Sequence, residues 1–352
     1  MMKPLIYDLD YPALEEALLA LGEPAYRARQ VWQGLYQSLW SQAEQFTPLS
    51  AVLRQKLDAA FSFSHLTPGP ILDSSDRQTR KTMFTLPDGY AIEAVLMRYG
   101  KSGAAKTRRT LCISTQAGCA MGCVFCATGQ MGFKRHLTSG EIIEQILFYA
   151  RQLQPLEEKV TNVVLMGMGE PFHNYEATMQ AIDRLGDAQG FNFGARRFTI
   201  STVGLVPMIR RFANEHRQVN LAVSLHAVQD ELRQSMLPVN KRYPVDELLA
   251  ACREYVDKTN RRITFEWALI NGVNDSVDQA RMLGERLRGL LCHVNLIPLN
   301  PTQGYAGQGS TQERARAFTA ELARFGIPCT LRLRRGIDIQ AGCGQLATGK
   351  TK

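Results

Sequence analysis

Gly118-Cys119-Ala120-Met121-Gly122-Cys123-Val124-Phe125-Cys126 sets three cysteines in a Cys-x3-Cys-x2-Cys pattern, with an aromatic residue before the last. Three thiolates at this spacing can hold three irons of a 4Fe–4S cube and leave the fourth iron without a protein ligand. A fourth cysteine at matching spacing would indicate an electron carrier instead. The competing reading is a zinc site. Zinc takes four ligands, usually as two Cys/His pairs, and the nearest candidate, His136, has no paired ligand beside it.

On either side of this stretch the chain alternates between short β-rich runs and helical periodicity. Strands are predicted near 110–115, 161–166, 196–201, 218–225, 262–269, 292–299 and 329–334. Helices are predicted between them, including 139–152, 175–187, 244–258, 275–289 and 311–325. Thr138 and Glu141 have the spacing of a capping box at the start of the first. Repeated βα units imply a parallel sheet, and six or more can curl into a full or partial barrel. The expected fold is therefore α/β, a partial (β/α) TIM-type barrel over 108–343, with a tail at 344–352.

Ahead of the barrel, residues 1–66 read as a helical accessory domain. Leu14, Leu18 and Leu21 recur at helical spacing, and Tyr26, Arg27, Arg29, Gln30, Trp32, Tyr36 and Trp40 follow on a second helix. Thr67-Pro68-Gly69-Pro70 reads as a break. Runs at 81–86 and 90–97, joined by Pro87-Asp88-Gly89, predict a β-hairpin extension. A basic loop at 100–109 completes a linker region assigned to 67–107.

With 352 residues, 45% of them hydrophobic, the chain can bury a large core. Its 41 basic residues against 33 acidic ones give a net charge of +8, which favours a polyanionic partner such as nucleic acid. No run approaches the roughly 18 apolar residues of a membrane span. Acidic residues stand early, where a secretory leader would be apolar. Eight cysteines grouped by motif then read as cytoplasmic thiol chemistry rather than a disulfide framework.

Candidate ligand-binding residues fall where strands end. In Leu165-Met-Gly-Met-Gly-Glu-Pro171, glycines such as Gly169 let the backbone approach a ligand, and Glu170 can accept from an ammonium group. Ser201 and Ser224-Leu225-His226 can bond carboxylate and hydroxyl groups. Asn300 can read an adenine or ribose edge, and Phe125 can pack on an adenine. Two thiols stand apart: Cys112 on the first barrel strand, and Cys343 between glycines in Ala341-Gly-Cys-Gly-Gln-Leu346. Cys252, Cys292 and Cys329 sit in apolar patterns and read as buried small hydrophobes.

The cysteine triplet resembles the radical S-adenosylmethionine superfamily. Taken with Thr110-Leu-Cys112-Ile-Ser, Met166-Gly-Met-Gly-Glu-Pro171, Ser224-Leu-His226 and the segment around Cys343, the chain resembles, over nearly its whole length, the RlmN family of RNA methyltransferases. The resemblance implies a 4Fe–4S cluster on Cys119, Cys123 and Cys126. It implies S-adenosylmethionine bound through Gly169, Glu170, Ser201, Ser224, Leu225, His226 and Asn300. It also implies methylation of C2 of adenine 2503 in 23S rRNA, extended in some members to adenine 37 of tRNA.

The family chemistry uses two S-adenosylmethionine molecules per turnover. Cys343 takes a methyl group from one, and the second is cleaved reductively at the cluster. The methyl carbon then joins the adenine, Glu93 accepts the C2 proton, and Cys112 attacks the Cys343 sulfur to release the product as a disulfide forms. The implied partners are these RNAs and a low-potential donor such as flavodoxin or ferredoxin, acting on a monomer. Arg27, Arg29, Lys101, Lys106, Arg108, Arg109, Arg332, Arg334 and Arg335 are candidate phosphate contacts, with Tyr26 and Trp32 as stacking platforms. A Cfr-type enzyme methylating C8 of the same adenine is the nearest alternative. A metal-stabilised, non-catalytic RNA-binding protein is the alternative of another class.

Overall fold

An antiparallel run of strands and a series of strands that alternate with amphipathic helices assemble one ten-stranded sheet in the computed structural model, which describes residues 3–100 and 108–347. Three helices come first: α1 (Tyr11–Ala20), α2 (Tyr26–Tyr36) and α3 (Ala51–Ala60). An antiparallel trio follows, β1 (Thr67–Asp73), β2 (Thr79–Thr85) and β3 (Ala91–Tyr99), and β3 pairs with β4 (Arg108–Cys112). Beside the cysteine stretch, β5 (Gln116–Gly118) and β6 (Phe133–His136) form a small separate sheet around the short α4 (Ala127–Gln130).

The alternating part continues with α5 (Ser139–Leu153), β7 (Asn162–Leu165), α6 (Tyr175–Gly186), β8 (Phe198–Thr202), α7 (Val206–Asn214), β9 (Asn220–Ser224), α8 (Asp230–Met236) and α9 (Val245–Thr259). It ends with β10 (Ile263–Leu269), α10 (Val277–Leu287), β11 (Cys292–Pro298), α11 (Gln312–Arg324) and β12 (Cys329–Leu331). Strand order is β1-β2-β3-β4-β7-β8-β9-β10-β11-β12, parallel from β4 onward. β1 and β12 are its two edges, so the barrel remains partial and open.

Thr67-Pro68-Gly69-Pro70 is not a break but the start of the edge strand β1. An edge strand needs no donor on its outer side, so proline is tolerated there, and the register slips between Pro68 and Ile71. The hairpin joins the main sheet, because β3 is stitched to the barrel through Val95 opposite Cys112. The last strand stops at Leu331, short of the predicted 334.

The capping box at α5 forms as expected, with Glu141 N donating to Thr138 Oγ1 at 3.2 Å and Thr138 N to Glu141 Oε2 at 2.9 Å. The N-terminal helices share one apolar core with the barrel. Asp8 Oδ1 accepts from Gly140 N at 2.8 Å, Arg151 donates to the Tyr7 hydroxyl at 2.8 Å, and Arg184 to the Tyr7 carbonyl at 2.5 Å. Trp32 is buried edge-on to Tyr11, so it packs the core and cannot serve as an RNA stacking platform. Tyr26 is exposed. Cys252 and Cys292 are buried as expected, and Cys329 is partly so. Among the described residues, no helix is long and apolar enough to cross a membrane.

Candidate active site

The carboxyl ends of the parallel strands converge on one cleft enclosing about 1010 Å³, open to solvent. Such strand ends are where barrel enzymes gather their chemistry. Cys119, Cys123, Cys126, Phe125, Gly169, Glu170, Ser201, Ser224, His226, Asn300 and Cys343 all line it. Leu225 does not. Side chains alternate along β9, and with Ser224 facing the cleft the fully buried Leu225 faces the core.

The cysteine loop depends on two close backbone approaches. Gly118 has φ +73°, and a Cβ there would lie 2.0 Å from the Gly132 carbonyl oxygen. At Gly129 a Cβ would meet the Cys123 backbone at 2.9 Å. The three thiols line the same cavity. Among the described residues, no group of three His, Cys, Asp or Glu side chains is placed to hold a metal ion. Three thiols without a fourth ligand are the donor type of an open iron–sulfur site rather than of a closed zinc site. Burial pushes the Cys119 thiol up to about 12 and Cys123 well above the usual thiol range, and the charges of neighbouring thiols add to the shift. To ionise in this setting, these thiols need a cationic centre that stabilises the thiolates. His136 instead contacts Gln116 Nε2 at 3.1 Å.

Glu170 follows Gly169, whose φ of +106° and closeness to Gln116 leave no room for a Cβ. Its carboxylate accepts from Phe172 N at 3.0 Å and Val203 N at 2.8 Å, while burial raises its pKa to about 7. Both oxygens retain lone pairs for an ammonium group. His226, at φ +60°, accepts from Ala268 N through Nδ1 at 2.9 Å, so the neutral ring carries its proton on Nε2. Burial lowers its pKa to about 3, which makes it a fixed donor and a wall rather than a base. Phe125 meets this ring edge-on at 5.1 Å. Asn300 donates through Nδ2 to the Cys343 carbonyl at 3.0 Å, and its buried Oδ1 has no partner. An orphaned acceptor on a residue that lines this cleft suits an amino or hydroxyl group of a nucleoside.

A second cavity of about 760 Å³ adjoins the first. It holds Cys112 and Arg332, and the two cavities share Met166, Ile297, Asn300, Cys343, Gly344 and Leu346. Cys343 thus faces the cysteine triplet on one side and Cys112 on the other. It is exposed to solvent. The Glu266 charge disfavours its thiolate, while burial, with the Cys343 charge, pushes the Cys112 thiol up to about 12. The Arg332 guanidinium opposes both shifts.

Backbone contacts pin the segment carrying Cys343. Ala127 N donates to the Gly344 carbonyl at 2.8 Å, Thr128 Oγ1 to the Leu346 carbonyl at 2.6 Å, and Gln345 Nε2 to the Pro301 carbonyl at 2.9 Å. Glu93 lines neither cavity. It is buried on β3 with Lys81 Nζ at 3.0 Å, and accepts from Ala347 N at 3.1 Å. Burial raises its pKa against the pull of Lys81.

Glu266 is the site residue that sequence reasoning missed. It lies buried in the cleft, accepts from Asn295 Nδ2 at 2.7 Å, and has its pKa raised to about 7 by burial. Asn295 in turn accepts from Arg332 Nε at 3.1 Å. The available signal was an acid inside the otherwise apolar run Phe265-Glu266-Trp267-Ala268. Arg332, expected on phosphates, instead anchors this network beside the thiols. Arg109 is tied to Glu158 at 2.6 Å and is not free for phosphate. Lys101 and Lys106 lie outside the described residues.

Residues 113–282 match the radical SAM superfamily profile, and residues 6–62 match the N-terminal domain of ribosomal RNA large subunit methyltransferases. The chain is 51% identical to the dual-specificity RNA methyltransferase RlmN 1 of Myxococcus xanthus, covering 97% of this chain and 93% of that protein. It is 48% identical to the probable dual-specificity RNA methyltransferase RlmN of Chloroflexus aurantiacus, covering 97% and 92%. The crystal structure of a radical SAM methyltransferase from Sphaerobacter thermophilus superposes with a TM-score of 0.94 at 50% identity, covering 97% of this chain and 99% of that one.

Proposed function

Because the chain belongs to the RlmN family of radical S-adenosylmethionine RNA methyltransferases, we propose that it methylates C2 of adenine 2503 in 23S rRNA and C2 of adenine 37 in tRNA. The observation that carries this reading is the position of Cys343 on the wall shared by two cavities, between the cysteine triplet and Cys112. A thiol that first accepts a methyl group and is later attacked by a second thiol has to face both. The relatives' dual-specificity names support two RNA substrates.

Cys119, Cys123 and Cys126 would hold a 4Fe–4S cluster, and Gly169, Glu170, Ser201, Ser224, His226 and Asn300 would hold S-adenosylmethionine. When bound, the cluster supplies the electron that splits the sulfonium. Cys343 accepts the methyl group, and Arg332 favours the thiolate it needs. Cys112 releases the product by attacking the Cys343 sulfur. Glu93 lines neither cavity, so it accepts the C2 proton through an intervening water, with Lys81 stabilising its carboxylate. Ala347 ties Glu93 to the segment that carries Cys343. The non-catalytic alternative finds no support in these relatives, which are named as methyltransferases.

The test is to incubate the anaerobically reconstituted protein with protein-free 23S rRNA, a flavodoxin- or ferredoxin-type reductant and methyl-labelled S-adenosylmethionine. Mass spectrometry of the digested RNA is expected to place the label on adenine C2. Label on C8, or none, overturns the reading. Cys112→Ala is expected to accumulate a protein–RNA crosslink, and Cys343→Ala to give neither crosslink nor product.

A further inference from the structure

Below the reaction cavities the barrel bore is neither filled nor apolar. It opens at the amino ends of the parallel strands into a groove of about 2080 Å³, lined by polar strand residues such as Asn220 and His293. Barrel interiors are ordinarily packed with branched apolar side chains, so an open polar bore calls for an occupant.

Six guanidiniums face this groove: Arg108, Arg196, Arg261, Arg262, Arg332 and Arg335. Arginines elsewhere, such as Arg109, Arg135, Arg211 and Arg314, are ion-paired. Among the described residues, none of the six is. Among the described residues, Glu266 is the one carboxylate lining the groove, and it already accepts from Asn295. Arg196 and Arg261 are drawn together by a neutral acceptor, both donating to Gln218 Oε1, at 3.1 and 3.0 Å. Arg261 also donates to Asn220 Oδ1 at 2.9 Å and retains a buried Nε without a partner. Like charges held side by side without a counter-ion repel one another, and an anion between them relieves the repulsion.

The groove is continuous with the thiol cavity through Tyr99, Met166 and Leu333. We propose that this lower groove holds backbone phosphates of the RNA flanking the target nucleotide, with Arg196, Arg261 and Arg262 as the gripping residues. The proposal rests on the RNA methyltransferase reading and adds a surface to it. A chain of phosphates, rather than a globular acidic protein, fits a concave channel that leads to the reacting thiols. An electron-donor protein has no reason to dock here, because the cysteine triplet lies at the opposite ends of the strands.

The test compares a variant carrying Arg196→Gln, Arg261→Gln and Arg262→Gln with a charge-matched control carrying Arg210→Gln, Arg211→Gln and Arg217→Gln on ion-paired outer arginines. Affinity for a protein-free 23S rRNA fragment is measured against KCl concentration. Cleavage of S-adenosylmethionine without RNA is followed in parallel. The groove variant is expected to lower the log–log salt slope by about two, at roughly 0.7–0.9 for each phosphate the protein no longer neutralises, and to weaken binding at least about tenfold. RNA-free cleavage stays at the wild-type rate, and the control keeps the wild-type slope. Lysine at the same three positions is expected to restore most of the slope.

An unchanged slope, an equal loss in the control, or a lysine variant as weak as the glutamine one overturns the proposal. So does normal RNA binding with slowed reduction by a flavodoxin-type donor, which would mark a protein-docking face. If the wild type methylates RNA and the groove variant matches it, the groove alone fails. If the wild type neither binds nor methylates RNA, the functional reading fails with it.

Discussion

Gly118 shows how a single hydrogen atom governs the candidate cluster loop. Its φ of +73° is one that side chains resist, and a methyl group would meet the Gly132 carbonyl at 2.0 Å. Gly118→Ala must therefore shift β5 against β6 and carry Cys119 with them. The expected result is a folded protein, destabilised by more than about 1 kcal/mol, that takes up clearly less iron and sulfide per chain on anaerobic reconstitution. Wild-type iron content would mean that the loop adapts freely. Asn300 makes a complementary case, since its Oδ1 is buried without a partner. Asn300→Ala is expected to weaken S-adenosylmethionine binding about two- to tenfold, the worth of one hydrogen bond. Asn300→Asp, which keeps an acceptor, should lose less; equilibrium dialysis of the two variants decides it. At this scale the sequence spoke through chemical type: thiols, a Gly-Glu turn and a Gly-flanked cysteine are recognisable without coordinates. It could not distinguish Ser224, which faces the cleft, from its neighbour Leu225, which does not. Nor could it show that Glu266 stands among the thiols, because its meaning depends on which strands become neighbours.

Helix α5 links local capping to tertiary packing. Its capping box closes the first turn, while Asp8 reaches in to accept from Gly140. Thr138→Ala is expected to cost about 1 kcal/mol in a urea titration, a typical loss for an N-cap. One turn further along, Glu144 is buried and accepts from His65 N at 2.9 Å. Burial raises its pKa from 4.5 to about 7. The folded state therefore binds this proton more tightly than the unfolded chain does. Its contribution to stability is fully present below 4.5 and is lost as pH rises through about 7. Glu144→Gln, which cannot ionise, is expected to melt above the wild type at pH values over 7 and to lose that advantage as pH approaches 4.5. A gap that stays constant across this range would show that Glu144 does not titrate as its burial implies. Elements were the most legible part of the chain, because strands and helices of the barrel announce themselves by period. Strand β1 escaped notice because Pro68 and Pro70 argue locally against a strand. Only its position at the sheet edge removes the objection.

At the scale of the whole molecule, the parallel topology was readable from the βα alternation, but the seating of the N-terminal helices was not. The contacts that seat them join residues far apart in sequence, such as Arg184 with Tyr7 and Gly140 with Asp8. No local pattern encodes such pairs. Their consequence is mechanical: Leu5, Tyr7, Trp32 and Leu53 belong to the same apolar cluster as Phe198, Val223 and Trp267. A region that shares its core with the barrel should not melt before it. The three tryptophans allow a direct check, with Trp32 and Trp40 in the N-terminal part and Trp267 on β10. In a Trp267→Phe variant, fluorescence reports the N-terminal helices alone. In a variant with Trp32→Phe and Trp40→Phe it reports the barrel. Within each variant, the urea transitions seen by fluorescence and by far-ultraviolet circular dichroism are expected to coincide, because the substitutions shift the common midpoint without splitting it. An N-terminal signal lost at lower urea than the circular dichroism would show that Tyr7, Asp8 and their partners do not couple the two parts. The helices would then be a separately melting arm rather than part of the body that shapes the cleft.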